Sequence, residues 1–230
     1  MVFEARSAMP TPSSIKKRSA APRPYNSPLR AAVAAQTRER LVAAAFELLA
    51  LPEGLRGFSL EAVARRAGVQ RLTVYNQFGS RRALLEAVFD DIAMRGGLQR
   101  LEQVMAEPDP HVGLALLVPV FCEFYAGGQP VMAQLLGAGA SDPELKQSLR
   151  ERNERRRHLL RALVERMVAQ GDLAADAAVD LVDVLWALTG APFLMELTAN
   201  GRSPQDACAL IHAAVADAVL RATGRQTKSQ

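Results

Sequence analysis

Cysteine and aromatic residues are scarce in this sequence, and both shortages limit the possible fold. Of 230 residues only two are cysteines, Cys122 and Cys208, and they lie far apart along the chain. We therefore expect no disulfide framework and a reducing compartment. Aromatic residues make up 5% of the chain, whereas Ala, Leu, Val and Arg are abundant. This composition favours helices over sheets, and we predict an all-α fold.

Long apolar runs and enzyme motifs are missing as well. No run of about 18 uncharged apolar residues occurs and the N-terminus has no signal-peptide core, so we expect a cytoplasmic protein with no membrane partner. The histidines His111, His158 and His212 have no metal-ligand spacing, and no Gly-rich phosphate loop or nucleophile elbow is found. We expect no catalytic residue, no metal site and no cofactor, with a small helical enzyme as an alternative.

Charge is distributed unevenly along the chain. Residues 1–86 contain 14 Lys and Arg against 6 Asp and Glu, whereas residues 87–230 contain 14 against 18. A basic first part joined to an acidic second part indicates a polyanion-binding module and a module with another task. Ordinary surface charge would give the same balance, so charge alone leaves both interpretations open.

Proline content and apolar periodicity divide the chain into four parts. Residues 1–36 hold five prolines, the cluster Lys16–Arg18 and no sustained apolar period, which predicts a disordered basic arm. This arm either reaches phosphates or a minor groove, or has no specific role. Apolar spacing predicts a first helix from near Thr37. We expect a small helical domain over 37–82, a larger helical domain over 83–223 and a polar tail over 224–230.

The segment Ser59–Phe78 has the pattern of a helix-turn-helix. Ser59 is a suitable N-cap for a short helix, and Gly68 can end that helix in a left-handed conformation. A second short helix is predicted from about Gln70 to Gln77, before a Gly-Ser break. Three helices with a glycine-containing turn between the second and third form a simple reader of the DNA major groove. A plain three-helix bundle without a DNA role is the alternative.

The second helix of this segment is predicted to have an inner and an outer face. The apolar residues that can close the small core are Val69, Val74 and Phe78, so we expect them to point inward. The guanidinium, amide and hydroxyl groups that remain suit base edges and phosphate oxygens, and an exposed Leu suits a thymine methyl. The predicted DNA-binding residues are Gln70, Arg71, Leu72, Thr73, Tyr75, Asn76, Ser80 and Arg81.

Several short pieces, taken in order, resemble the signature of TetR-family regulators over about residues 37–90. The pieces are Ala67-Gly68-Val69, Thr73-Val74-Tyr75, Phe78-Gly79-Ser80-Arg81 and Leu84-Leu85. The resemblance implies an all-helical homodimer whose N-terminal helices bind double-stranded DNA and whose larger C-terminal domain binds a small-molecule effector. In the family, the positions of Thr73, Tyr75 and Arg81 commonly touch phosphate. Gln70 stands where the family usually has a Ser or Thr cap.

The larger domain is predicted to be helical throughout. The predicted helices are Pro110–Tyr125, one from Pro143 to about Gln170, Asp176–Thr198, and one from Ser203 to about Ala222. Stripes of small and apolar residues on the last two predict a four-helix dimer interface, with packing inside one subunit as the alternative. These stripes are Leu181, Leu185, Leu188 and Pro192, and Ala207, Ile211, Ala214 and Ala218.

Bulky apolar side chains in the same domain predict a pocket for the effector, although each could instead be ordinary core. The predicted ligand-binding residues are Phe121, Phe124, Tyr125, Met132, Trp186 and Phe193. The arginine-rich run Arg150–His158 could bind an acidic ligand, but a solvated, salt-bridged helix face is favoured. Cys122 lies in an apolar stretch, so we expect a buried, inert thiol.

The leading hypothesis from sequence is therefore a sequence-specific DNA-binding regulator. We expect a homodimeric repressor that a small apolar or amphipathic ligand releases from its operator. Besides the small helical enzyme, a partner-binding protein that has lost DNA binding is the remaining alternative.

Overall fold

Helices connected by short turns make up the computed structural model, which describes residues 28–224. Within that range there is no strand, and the all-α fold class is confirmed. Three single turns of 3₁₀-helix occur at Gly54–Arg56, Leu98–Arg100 and Ala175–Ala177. The α-helices are α1 (Pro28–Ala50), α2 (Leu60–Ala67), α3 (Arg71–Phe78), α4 (Arg81–Arg95), α5 (Leu101–Ala106), α6 (Pro110–Gly127), α7 (Gln129–Ser141), α8 (Pro143–Ala169), α9 (Ala178–Leu188), α10 (Ala191–Ala199) and α11 (Pro204–Ala222).

The first helix begins earlier than the apolar pattern predicts. Helix α1 starts at Pro28 rather than near Thr37, so residues 28–36 are helical and not part of a disordered arm. Proline is favoured in the first turn of a helix, and the alanines that follow it have the highest helix propensity. From Arg30 to Gln36 this extension is exposed, and it therefore has no apolar period. The predicted arm over 1–27 and tail over 225–230 lie outside the described residues.

Helices α1 to α4 share one small core at the N-terminal end. Leu41, Val63, Val74 and Leu84, one from each helix, are fully buried there. Ser59 is the N-cap of α2, as predicted, and Ser80 is the N-cap of α4. The Ser59 hydroxyl oxygen accepts from the Ala62 backbone N–H at 3.1 Å, and Ser80 does the same for α4.

The remaining helices form a larger unit around α6 and α8. Helix α8 packs on α6, α7 and α9, and α11 packs on α6, α9 and α10. The core of this unit includes Leu117, Leu163, Leu185 and Ile211. Among the described residues α6 is the one single helix long and apolar enough to span a membrane, and 50% of its apolar window is buried inside the protein.

The predicted helix Asp176–Thr198 is wrong, because the chain breaks after Leu188. Helices α9 and α10 meet at an angle of 47°. Gly190 adopts an extended conformation with ψ of 152° and precedes a proline in the first turn of α10. An extended residue cannot continue a helix, and a proline lacks the N–H that an interior position needs.

The stripes predicted for a dimer interface lie mostly inside the subunit. Ala207 and Leu185 are fully buried, and Leu181 and Ile211 are at most 3% exposed. These residues lie where α11 packs on α6 and α9, and where α9 packs on α8, which was the alternative interpretation. The apolar residues that the same helices leave in solvent are Val179, Val184, Ala187, Ala209, Leu210, Ala213 and Ala216.

Candidate functional site

Helices α2 and α3 are joined by a tight turn that sets the position of α3. Gly68 has φ of +66°, and its N–H donates back to the last turn of α2. This left-handed conformation is strained for residues with a side chain. Gln70 then occupies the N-cap of α3 in an extended conformation, without a side-chain capping bond. The start of α3 is therefore held by the turn and the core rather than by a cap.

Helix α3 has one buried and one exposed face. Val74 is fully buried and Phe78 is 8% exposed, whereas Leu72 is 63% and Tyr75 57% exposed. Arg71 and Asn76 are also exposed. Because positions 71, 72, 75 and 76 repeat at helical spacing, their side chains share one side of the helix. The structure brings these four predicted DNA-binding residues together, with Gln70 exposed at the start.

The other three predicted residues lie beside this surface. Thr73 is half-buried. Ser80 is half-buried too, and its hydroxyl oxygen caps α4. Arg81 donates from Nε to the Phe58 carbonyl oxygen at 3.5 Å, and its guanidinium lies 5.3 Å from the Phe58 ring centroid. These contacts hold Arg81 at the start of α4, next to the end of α3.

Two arginines of α1 that no sequence pattern singled out support the same surface. Arg40 donates from Nη2 to the carbonyl oxygen of Ala67, the last residue of α2, at 2.6 Å. Arg38 donates to the Gln77 carbonyl oxygen at 3.3 Å, and its guanidinium lies 4.5 Å from the Phe78 ring centroid. Cations are favourable at helix C-termini, so both arginines stabilise the ends of α2 and α3.

A large cavity lies in the second unit. It has a volume of about 950 Å³, within the range of small-molecule sites. Four of the predicted ligand-binding residues line it: Phe121, Phe124, Tyr125 and Met132. Trp186 and Phe193 are not in the lining. Trp186 instead packs its ring 5.4 Å from the Arg156 guanidinium, and Phe193 is half-buried against the core.

The cavity also contains polar groups that the sequence analysis did not place there. Helix α8 contributes Lys146, Arg150, Arg155 and Arg156, so its arginine-rich run is only partly a solvated face. Arg156 is 4% exposed, and burial lowers the pKa of its guanidinium. Burial also raises the pKa of the Tyr125 hydroxyl.

The cavity is connected to the helix-turn-helix by two helices. Helix α4 lines it with Phe89 and Ala93, and begins directly after α3. Helix α7 lines it with Met132, while Gln134 of the same helix accepts from the Leu55 backbone N–H at 3.2 Å. A molecule in the cavity would therefore touch the helix that follows α3 and a helix that contacts the 3₁₀ turn before α2.

The two cysteines, distant in sequence, lie together in the fold. Burial raises the pKa of the Cys122 thiol of α6 well above its usual range, and the neighbouring Cys208 thiol of α11 raises it further. Cys122 is therefore a buried neutral thiol. Among residues 28–224 no group of three or more His, Cys, Asp or Glu side chains could hold a metal ion.

Two family models match the chain, and together they cover more than two thirds of it. Residues 41–88 match the model described as "Bacterial regulatory proteins, tetR family". Residues 106–218 match that described as "Tetracyclin repressor-like, C-terminal domain". The first range contains α2, α3 and their turn, and the second contains most of the cavity. No curated protein sequence matches the chain significantly.

Solved structures with the same fold are similar along most of the chain. A TetR transcription regulator from Haloarcula marismortui has a TM-score of 0.68 at 14% identity, covering 82% of this chain and 98% of its own. A transcriptional regulator from Rhodococcus has a TM-score of 0.62 at 22% identity, covering 80% and 96%. A SmeT–triclosan complex has a TM-score of 0.66 at 20% identity, covering 81% and 91%.

Proposed function

The chain belongs to the TetR family of transcriptional regulators, and we propose that it acts as a homodimeric repressor that a small ligand releases from DNA. The observation that carries the proposal is the outer face of α3. There Leu72 and Tyr75 are more than half exposed next to Arg71 and Asn76. Large apolar side chains grouped on a surface mark a contact site, and here they stand among base-reading groups.

Dimerisation is proposed through the solvent-facing side of α9 and α11. Val184 is 44% and Leu210 41% exposed, and Ala209, Ala213 and Ala216 extend the same side of α11. We name these five residues the dimer face. Small residues allow close helix approach, and two such helices from each chain would form a four-helix bundle. A two-fold dimer would present its two α3 helices to successive major grooves, about 34–36 Å apart.

Ligand release is proposed to act through α4 and α7. Both helices line the cavity and contact the DNA-binding end, so a ligand that favours one arrangement of them also favours one spacing of the α3 helices. A ligand that binds better to a spacing unlike that of successive grooves shifts the population away from DNA. The SmeT structure, a triclosan complex, supports the ligand part because it pairs this fold with a small molecule.

The regulator interpretation is favoured over a helical enzyme because the family and the structural neighbours named above are transcription regulators. We expect the protein to act where the chromosome is, in the cytoplasm.

The repressor role can be tested by transcription in vitro from a promoter that overlaps a selected operator. We expect the protein to lower transcript yield, Arg71→Ala to lose this effect, and Arg161→Ala to keep it. Arg161 is an exposed arginine on α8, outside the cavity lining. Higher transcript yield with the unmodified protein would contradict the repressor proposal, and an unchanged effect of Arg71→Ala would contradict DNA reading by α3.

A further inference from the structure

The cavity has two chemically different sides. Helices α6 and α7 supply an apolar side that includes Phe121, Phe124 and Met132. Helix α8 supplies a side on which Lys146, Arg150, Arg152, Arg155 and Arg156 line the space, against one carboxylate in the lining, Glu102. Of these five cations, Arg152 has an ion-pair partner, Asp90, and an entirely apolar ligand would leave Arg156 without one.

Arg156 is the buried member of the cationic side. It is 4% exposed, and its hydrogen bonds all go to neutral acceptors. Nη1 donates to the Trp186 carbonyl oxygen and to the Thr189 hydroxyl, both at 2.6 Å, and Nε and Nη2 donate to the Asn153 amide oxygen. Within residues 28–224 no carboxylate lies within ion-pair distance of this guanidinium. A buried charge without a counter-charge is costly.

Neighbouring arginines on the same helix are paired with carboxylates of the helices that pack on α8. Arg152 pairs with Asp90 at 2.5 Å, and Arg157 pairs with Asp183. Arg156, between them and far more deeply buried, has no such partner. It is held instead by the ring faces of Phe121 and Trp186, at 5.9 Å and 5.4 Å from the ring centroids.

One hydrogen-bond donor of this guanidinium and a neighbouring hydroxyl in the cavity lining are not used by residues 28–224. An arginine has five N–H donors, and the four hydrogen bonds to protein leave one on Nη2 available. Tyr125 also lines the cavity, and its hydroxyl has no hydrogen-bond partner among the described residues.

We propose that the cavity selects an amphipathic carboxylate, with the carboxylate on Arg156 and the apolar body against Phe121, Phe124 and Met132. This inference rests on the proposed function and specifies its ligand. A bound carboxylate would place a negative charge in direct contact with Arg156, which no carboxylate of residues 28–224 does, and charge-assisted hydrogen bonds are the stronger ones. The other cationic side chains of α8 line the same cavity, and their charge attracts an anion into it.

The test compares acids with uncharged alcohols of the same shape. Dodecanoate is paired with dodecan-1-ol, and biphenyl-4-carboxylate with 4-hydroxymethylbiphenyl, below their aggregation concentrations. Binding is followed by the fluorescence of Trp186, the single tryptophan, whose ring lies against Arg156. We expect at least one acid to bind about tenfold or more tightly than its alcohol, since hydrogen bonds to charged groups are worth more than neutral ones. Equal affinities in both pairs, or no binding by any of the four, would overturn the proposal.

Two variants locate the selectivity. Arg156→Met should reduce the acid-to-alcohol ratio to about one by removing the charge at similar volume. Arg161→Met, the same change at an exposed position of α8, should leave the ratio unchanged. Selectivity retained in a folded Arg156→Met protein would overturn the role of Arg156. If that variant does not fold, the comparison on the unmodified protein still decides for or against a carboxylate ligand.

Operator binding is measured on the same protein preparations. If neither acid is preferred while the protein still binds a palindromic operator, the carboxylate inference fails and the proposed function stands. If an acid is preferred but no duplex is bound, the ligand inference stands and the repressor proposal fails.

Discussion

Leu72 and Tyr75 are the residues of α3 that folding alone explains least. Each exposes more than half of a large side chain, while Val74 and Phe78 on the same helix are buried. A leucine in solvent forgoes roughly 1.5–3 kcal/mol of burial free energy. On a DNA-reading helix the same side chain can cover a thymine methyl, and the tyrosine hydroxyl can reach a phosphate.

Replacing Arg71 by Ala should weaken binding to the operator by about 1–3 kcal/mol and relax the preference at one base pair per half-site. The reason is that a bidentate arginine discriminates guanine from the other bases in the major groove. Fluorescence anisotropy with the operator and with single-base variants measures both effects. Arg161→Ala is the control. An unchanged base preference would show that Arg71 does not read sequence.

Replacing Tyr75 by Phe should weaken binding to all duplexes equally, by about 0.5–1.5 kcal/mol. This change removes only the hydroxyl, and phosphate contacts carry no sequence information directly. Because Tyr75 is 57% exposed, the thermal unfolding temperature should stay the same. A change in base preference in the same anisotropy assay would place Tyr75 at a base edge instead.

At the scale of elements, the contact between the 3₁₀ turn at Gly54–Arg56 and α7 links the two units. Gly54 has φ of +44°, and a Cβ there would lie 2.3 Å from the Gln134 Cδ. The Gln134 side chain in turn accepts from the Leu55 N–H. The absence of a side chain at position 54 therefore leaves room for the Gln134 side chain of α7 against this turn.

Replacing Gly54 by Ala should lower the free energy of unfolding by about 1–3 kcal/mol, because a residue with a Cβ is strained at positive φ and Gln134 would have to move. Urea denaturation measures the change. Gly57→Ala is the matched control. Gly57 has φ of −86°, and a Cβ added there would lie 3.5 Å from its nearest neighbour, the Glu53 Cβ, which is ordinary van der Waals contact. Equal stabilities of the two variants would show that the contact at Gly54 is not needed.

Helix ends that a capping residue marks could be predicted from the sequence, whereas helix ends without such a residue could not. Several helices begin with a side-chain oxygen that accepts a backbone N–H group, as is typical of Ser and Asp at the N-cap. Examples are Ser59, Ser80, Asp142 and Ser203. The start of α1 was missed because its first turns are exposed and lack apolar periodicity. The break after Leu188 was missed because the apolar pattern continues across it.

Side-chain environments that depend on distant elements were the hardest to predict. Phe121, Phe124 and Tyr125 line the cavity as a single apolar helix suggests. The burial of Arg156 was not predicted, because a run of five arginines has the pattern of a solvated face. The packing of α6 and α9 against α8 encloses this one arginine, while Arg152 and Arg157 form ion pairs nearer the surface.

At the scale of the whole molecule, the dimer face determines whether two α3 helices act together. Val184→Arg should convert the dimer to a monomer, because it adds a bulky charge to an apolar helix interface. Light scattering after size-exclusion chromatography measures the mass. Val112→Arg is the matched control, since Val112 is also 44% exposed but lies on α6. A Val184→Arg protein that remains dimeric would place the interface elsewhere.

The central claim is that a two-fold dimer reads DNA through α3, and selection of bound sites from random duplexes tests it most directly. The unmodified protein should enrich an inverted repeat whose half-site centres lie about 10 base pairs, or a multiple of that, apart. When the same selection is carried out with the Arg71→Ala protein, the enriched sites should lose the base preference at one position of each half-site. No enrichment, or a motif without two-fold symmetry, would contradict the account.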